Sequence, residues 1–258
     1  METMERDNRP IEPACIRRRF TRALNSYDRH AVAQQRISAE AAKILSLHLQ
    51  PFGRCLEIGC GTGGFTRHLQ RMLPNADWVL NDLCGESLAI AATHCNHSPQ
   101  SIIGDAENTE LGTGYDLIAS TSAFQWFHDP QNFIKKLAGM QTKGGVLLFS
   151  TFSPGNLQEV KEAAGKGLSY PSGKQWEEWL AASYNIEVCR EEAIRLAFGS
   201  PLEVLRHLKY TGVTATHNGQ WTRGMQEDFV RRYNRQFSTD NNQVTLTYRP
   251  LYLLAKRL

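Results

Sequence analysis

The sequence predicts an α/β fold built on a mostly parallel sheet, and three observations carry that expectation. From about residue 54, short apolar runs alternate with helix-compatible stretches, which implies right-handed βαβ units and a sheet covered on both faces. The first run opens directly into a Gly-rich turn, Leu56-Glu57-Ile58-Gly59-Cys60-Gly61-Thr62-Gly63-Gly64. The second and third runs each end at an aspartate, Asp82 and Asp105, at the strand ends where open α/β sheets take their ligands.

Residues 1–13 carry two prolines and many charges and read as a mobile tail. From Ile16 to about Leu49 the pattern is helical, ended by Pro51 and Gly53. Phe20, Leu24 and Tyr27 share one face of it, and Arg17, Arg18, Arg19 and Arg22 occupy the rest. A break is expected near Ser26–Asp28, where Asn25, Ser26 and Asp28 weaken helix propensity. Strands are expected at Arg54–Ile58, Trp78–Leu80, Ser101–Ile103, Tyr115–Ser120 and Gly145–Phe152.

Beyond Phe152, Ser153-Pro154-Gly155-Asn156 forms a turn before a helix around Leu157–Ala164 and a Gly/Ser/Pro loop to Gly173. A helix at Gln175–Ala182 follows, then a strand at Ile186–Ala197 and helices at Leu202–Tyr210 and Gln226–Phe237. The β-rich closing run Val244–Ala255 reads as a final strand, paired with Ile186–Ala197 as an antiparallel addition to the sheet.

Composition narrows the function. A net charge of +3 over 258 residues does not argue for a nucleic-acid partner. No run reaches the roughly 18 apolar residues of a membrane helix, and the charged N-terminus lacks the apolar centre of a signal peptide. The six cysteines form no C-x-x-C pair and no His/Cys cluster at zinc spacing, so reduced thiols, a cytoplasmic location and no metal site are expected.

The Gly-rich turn fits two ligands. Gly59-x-Gly61-x-x-Gly64 satisfies the dinucleotide fingerprint of a dehydrogenase. Glu57 argues otherwise, because a carboxylate at a buried strand end is costly without a partner. The cationic ammonium of an amino-acid head would supply one; pairing with a nearby Arg or Lys is the structural alternative. Thr62 can donate to the carboxylate of the same head. Asp82 can accept from a ribose diol, and Asp105 can bond an adenine amino group while the backbone of Ala106 reaches the ring.

In order and spacing, Glu57-x-Gly59-x-Gly61-x-Gly63, Asp82, Gly104-Asp105-Ala106 and Tyr115-Asp116-Leu117-Ile118 resemble the class I S-adenosylmethionine methyltransferases. The resemblance covers roughly residues 50–152. It implies that Glu57, Gly59, Gly61 and Gly63 hold the methionine end of S-adenosylmethionine, Asp82 with Leu83 the ribose side, and Asp105 with Ala106 the adenine. It also implies a Rossmann-like fold. That fold has a mostly parallel seven-stranded sheet with an antiparallel final strand and helices on both faces. An N-terminal helical segment precedes it, and helical insertions follow strand 5 and separate the last two strands. Residues 1–50 are then the tail and lid segment, and 51–258 the methyltransferase domain. Within it, 51–152 form the core and 153–258 the substrate-side helices and last two strands.

The acceptor is less plainly written. After the fourth strand stands Ser120-Thr121-Ser122-Ala123-Phe124-Gln125-Trp126, without the Asn/Asp-Pro-Pro-aromatic segment of many nucleic-acid amino methyltransferases. An ionised carboxylate acceptor needs hydrogen-bond donors but no base, since carboxyl groups titrate around pH 4. Tyr27, Gln125, Trp126 and Asn156 offer such donors. His128 is the one nearby base candidate, with a turn residue capping the helix after Asp129-Pro130 as its alternative reading.

Several flanking segments resemble the malonyl-acyl-carrier-protein O-methyltransferases of biotin synthesis, the BioC family. They are Arg17-Arg18-Arg19-Phe20-x-Arg22-Ala23-x-x-x-Tyr27-Asp28, Phe124-Gln125-Trp126, Ser150-Thr151-Phe152-x-x-Gly155-Asn156-Leu157, Tyr170-Pro171 and Leu205-x-x-Leu208-Lys209-x-Thr211-Gly212-Val213. The stretches Thr216–Trp221 and Arg249–Pro250 depart from that pattern. The resemblance implies that one malonyl carboxylate oxygen attacks the methyl group of S-adenosylmethionine, giving the methyl ester and S-adenosylhomocysteine. Tyr27, Gln125 and Asn156 would position that carboxylate.

The partner implied is an acidic acyl-carrier protein, met by a monomer through Arg17, Arg18, Arg19 and Arg22 or through Arg206, Lys209, Arg231 and Arg232. Methylation of a small free carboxylate of the trans-aconitate type, and a non-catalytic S-adenosylmethionine-binding regulator, are the competing readings.

Overall fold

The computed structural model of the protein describes residues 11–165, 167–213 and 222–258. The first ten residues of the expected tail and most of the Thr216–Trp221 stretch's surroundings, including that stretch itself, lie outside the described residues. In chain order the elements are α1 (Pro13–His30), α2 (Val32–Ser46), β1 (Arg54–Ile58), α3 (Thr66–Met72), β2 (Asp77–Asp82), α4 (Gly85–Ala92), β3 (Gln100–Ile103) and β4 (Tyr115–Thr121). A 3-10 turn at Phe124–Trp126 leads to α5 (Pro130–Met140), β5 (Gln141–Phe152), α6 (Gln158–Ala164), α7 (Gly173–Leu180) and β6 (Tyr184–Glu191). The chain closes with β7 (Ile194–Phe198), α8 (Pro201–Tyr210), α9 (Arg223–Phe237), β8 (Val244–Tyr248) and β9 (Pro250–Arg257).

The main sheet has seven strands in the order β3-β2-β1-β4-β5-β9-β6. β1 to β5 pair in parallel, and β9 runs antiparallel between β5 and β6. Strands buried on both faces should be apolar throughout rather than alternating, and these are. Along β5, Val146 and Leu148 face one core while Leu147 and Phe149 face the other. β9 does the same with Tyr252 and Leu254 against Leu251 and Leu253. The first core takes α2 and α3 through Ile37, Leu45 and Leu69; the second takes α5 and α7 through Ile134, Leu137, Trp176 and Leu180.

Two expected strands divide. Ile186–Ala197 splits at Glu192-Ala193 into β6, in the main sheet, and β7, which pairs with β8 in a separate two-stranded sheet. The closing run Val244–Ala255 splits at Arg249 for a local reason. Pro250 has no N–H to donate, so it opens β9 instead of continuing β8. The small sheet packs under α8 and α9 through Leu246, Val204, Leu208, Phe229 and Tyr233.

The N-terminal helix also breaks later than expected, at Ala31 (φ −78°, ψ 43°). The residues expected to weaken it are satisfied in place. Ser26 Oγ donates to Ala23 O at 2.9 Å and to Tyr210 O at 3.2 Å, and Asp28 is engaged by the Gly-rich turn. Among the described residues, no helix is long and apolar enough to cross a membrane.

Candidate active site

Strand order reverses between β1 and β4, and a cavity of about 110 Å³ opens at the carboxyl ends of β1 to β4. Gly59, Gly61, Asp82, Leu83, Asp105 and Ala106 all line it. α1 closes its other side with the apolar face read from the sequence, Phe20, Leu24 and Tyr27, extended by Ile16. Two contacts fasten that helix to the turns below. Thr62 Oγ1 donates to Asp28 Oδ1 at 2.5 Å, and Thr21 Oγ1 lies 3.3 Å from Cys84 Sγ. The Thr62 hydroxyl, expected to face a ligand carboxylate, therefore holds the roof.

Asp82 is the centre of the ligand-facing turns. Its Oδ2 accepts from Gly61 N and its Oδ1 from Cys84 N, each at 2.8 Å. Burial raises its pKa, against these two bonds, which lower it. A carboxylate oxygen has two lone pairs, so both oxygens can still accept from a diol. Asp105 is similarly braced, with Oδ1 taking Glu107 N at 3.1 Å and Oδ2 taking Asn108 Nδ2 at 2.6 Å. Asn81, which sequence reasoning passed over, donates from Nδ2 to Ile102 O and Gly104 O, both at 3.0 Å, and so joins the ends of β2 and β3.

Two expected ligand residues stand back from the cavity. Gly63 (φ 85°) faces α4, where an added Cβ would lie 2.6 Å from His94 Cδ2 and 3.0 Å from Ala91 Cα; it seats the turn on that helix. Glu57, 1% exposed, lies beneath the turn and accepts from Thr66 Oγ1 at 2.7 Å. No Arg or Lys pairs with it among the described residues, so the structural alternative considered for this acid is not realised. Burial pushes its pKa from 4.5 up to about 8, the Thr66 hydrogen bond pulls it down, and the neighbouring Asp82 pushes it up.

An acid raised in this way keeps its proton in the folded chain after the unfolded chain has lost it. The stabilisation it contributes is whole below about pH 4.5 and is lost as pH rises towards about 8. Glu57→Gln is neutral throughout. Its melting temperature in the ligand-free state should therefore gain on that of the wild type between pH 5 and pH 8. A difference between the two proteins that stays constant over that range would show that Glu57 is ionised at no cost.

A second cavity, about 20 Å³, adjoins the first. At that size it holds about one water, so any larger group must displace side chains to enter. Tyr27, Gln125 and Asn156 all border it, together with Gln34, Ser122, Trp126, Tyr170, Thr211 and Tyr248. Its described lining contains no His, Lys, Arg, Cys, Asp or Glu. Burial raises the phenol pKa of Tyr27 and Tyr248, and that of Tyr170 to about 12, so all three remain neutral donors at pH 7.

The three expected positioning residues differ in how free they are. Gln125 spends its amide N–H on Ser122 O. Asn156 accepts from Arg249 N at 3.0 Å and bonds the Tyr170 hydroxyl, which makes it a brace between the β5–α6 turn and the small sheet. Of these three, only Tyr27 borders both cavities. His128 borders neither; its backbone N donates to Glu107 Oε2, its ring sits 3.0 Å from Ile11 O, and Asp129 caps α5. Thr211 stands in a flanking motif that assigns it no role, and nothing local in the sequence marks Gln34 or Tyr248. Gln34, Thr211 and Tyr248 come from α2, the end of α8 and β8.

A methyltransferase-domain profile matches residues 56–149. The malonyl-acyl-carrier protein O-methyltransferase of Porphyromonas gingivalis is 44% identical over 252 residues, which span 96% of this chain and 97% of that protein. The enzyme of the same name from Haemophilus influenzae is 40% identical, covering 95% of each chain. The solved plantazolicin methyltransferase BpumL, in complex with SAH, shares the fold with a TM-score of 0.53 at 18% identity, covering 95% of each chain.

Proposed function

This chain belongs to the malonyl-acyl-carrier protein O-methyltransferase family, and we propose that it methylates the free carboxylate of a malonyl thioester borne by an acyl-carrier protein, with S-adenosylmethionine as donor. In that role it would act at the start of pimeloyl and biotin synthesis. The observation that carries the reading is the chemistry of the smaller cavity. It offers neutral hydrogen-bond donors and, among the described residues, no base. An alcohol or amine acceptor would have to lose a proton, whereas a carboxylate arrives ionised at pH 7.

The larger cavity suits the donor. Gly59 and Gly61, at φ 66° and 52°, let the backbone approach an amino-acid end closely, and the carboxyl of Glu57 beneath them, without an Arg or Lys partner among the described residues, would be drawn into its charged form by an ammonium placed above it. Asp82 has lone pairs left for a ribose diol, and Asp105 with Ala106 is set for an adenine edge. S-adenosylmethionine supplies, when bound, an electrophilic methyl group on a positively charged sulfur. The task left to the protein is alignment. Tyr27 borders both cavities and stays protonated, so it can donate to the acceptor while covering the donor. The opposite charges of acceptor and donor cancel as the ester forms, a change favoured where little water surrounds them.

The carrier protein is acidic, and α1 presents the better complement. Arg17, Arg18 and Arg22 are exposed, and the helix carries no acid before Asp28. On α9, by contrast, Arg231 is already bonded to Asp228 at 2.6 Å. The test is an acceptor panel of malonyl-carrier protein, a short malonyl thioester and free malonate, with ester formation followed by mass. The carrier-borne acceptor should be preferred by the wild type, and Arg18→Glu with Arg22→Glu should lower its kcat/KM about tenfold or more with little change on the short thioester. Efficient esterification of free malonate without preference for the carrier would instead indicate a small-carboxylate methyltransferase.

A further inference from the structure

Four side chains wall both cavities at once: Phe20, Tyr27, Ser122 and Trp126. A methyl group passing from one cavity to the other crosses among them. Two of the four carry buried donors without a partner, Ser122 Oγ and Trp126 Nε1. Leaving such a group unsatisfied is costly, and native proteins keep few of them. Both orphans fall on the one surface where donor and acceptor must meet.

Ser122 is also held in an unusual backbone. Its φ of 55° is left-handed for a residue with a Cβ. The turn at the end of β4 is fixed from several sides. Ser122 N donates to Ser150 O and to Ser150 Oγ, both at 3.1 Å, and Ser122 O accepts from Gln125 Nε2. Everything in the residue is committed except its hydroxyl. Strained positions persist where the surroundings over-determine them, and they cluster at working sites. Trp126 is likewise set by packing, edge-on to Phe20 with ring centres 6.0 Å apart at 87°.

We propose that Ser122 Oγ–H and Trp126 Nε1–H together clamp the acceptor carboxylate, an assignment that rests on the carboxyl-methylation reading. An oxygen lone pair of the clamped carboxylate forms the new O–CH3 bond, the S–CH3 bond breaks with its electron pair remaining on sulfur, and no proton moves. Two neutral donors orient the carboxylate without an ion pair that would quench its nucleophilicity. Gln125 then acts through Ser122, as a positioning residue on its carbonyl. Gln34 Oε1 and Gln125 Oε1 are also buried without partners. They are acceptors, suited to N–H groups of the acyl-bearing arm and not to the carboxylate.

Ser122→Gly removes the hydroxyl and relieves the left-handed backbone, while Trp126→Phe removes the N–H and keeps a ring against Phe20. The readout is the preference of the donor-product complex, formed with S-adenosylhomocysteine, for malonyl-carrier protein over its methyl ester. Both competitors meet the same complex, so any change in donor affinity cancels in the ratio. The wild type should prefer the free carboxylate about tenfold or more, each variant should lose most of that preference, and kcat/KM should fall about 10- to 100-fold. Variants that keep the wild-type preference overturn the clamp. A wild type that esterifies no malonyl-carrier protein overturns the functional reading itself, and the two failures are distinct.

Discussion

Gly59→Ala should weaken S-adenosylhomocysteine binding by about a hundredfold or more. The glycine sits at φ 66°, where an L-residue costs roughly 1–2 kcal/mol. A Cβ added there would lie 2.5 Å from the Ala123 Cβ, well inside the roughly 3.5–4 Å of an ordinary carbon contact. Relief of such overpacking typically costs a further 1–3 kcal/mol or so. The strain is released where it matters, since Ala123 belongs to the β4 turn that lines the larger cavity. Gly61 is the internal control. Its φ of 52° carries the same backbone penalty, but no atom lies within 4 Å of an added Cβ. Gly61→Ala should therefore lose only about tenfold, from roughly 1–2 kcal/mol of strain. Calorimetric titration of both variants decides the matter, and equal losses would refute the steric account.

Asp82→Ala should be at least as damaging, with donor affinity reduced about a thousandfold. Alanine leaves Gly61 N and Cys84 N without their acceptor, and each unsatisfied buried N–H costs roughly 1–3 kcal/mol. It also removes the oxygens available to a ribose diol. Asp82→Asn keeps one accepting oxygen, so an intermediate loss of about 10- to 100-fold is expected. The order wild type, Asn, Ala is the diagnostic feature. Should the alanine variant bind within about fivefold of the wild type, Asp82 would be merely adjacent to the ligand.

The donor side of the site is legible in the sequence because each part is local. A Gly-rich turn and two acids, each directly after an apolar run, land at the carboxyl ends of adjacent parallel strands once those runs pair. What the pattern does not carry is direction. Glu57 is one residue from the cavity-lining Ile58, yet alternation along the strand sends its carboxylate to Thr66 on α3. Gly63 shares the motif with Gly59 but faces α4, a distinction that depends on helix packing. The acceptor side is mostly illegible for a different reason. Gln34, Ser122, Thr211 and Tyr248 come from four separate segments and meet only through tertiary packing. The left-handed turn at Ser122 has no glycine to announce it. Of the two late divisions only the one in the closing run has a local signal, Pro250; the break at Glu192-Ala193 has none.

That division at Arg249–Pro250 also places Tyr248 in the small sheet and the strand that follows it in the main one. The wall of the larger cavity is drawn wholly from residues 13–127. The smaller cavity shares four of those side chains, adds Gln34 and Gln125 from the same part of the chain, and takes Phe152, Asn156, Leu168, Tyr170, Thr211, Val213 and Tyr248 from the end of β5 onwards. Had the run continued as one strand, Tyr248 would be fixed to the main sheet. Because it is broken, substitutions in the small sheet and at the end of α8 can reshape the smaller cavity without moving β1 to β4, whose ends wall the larger one.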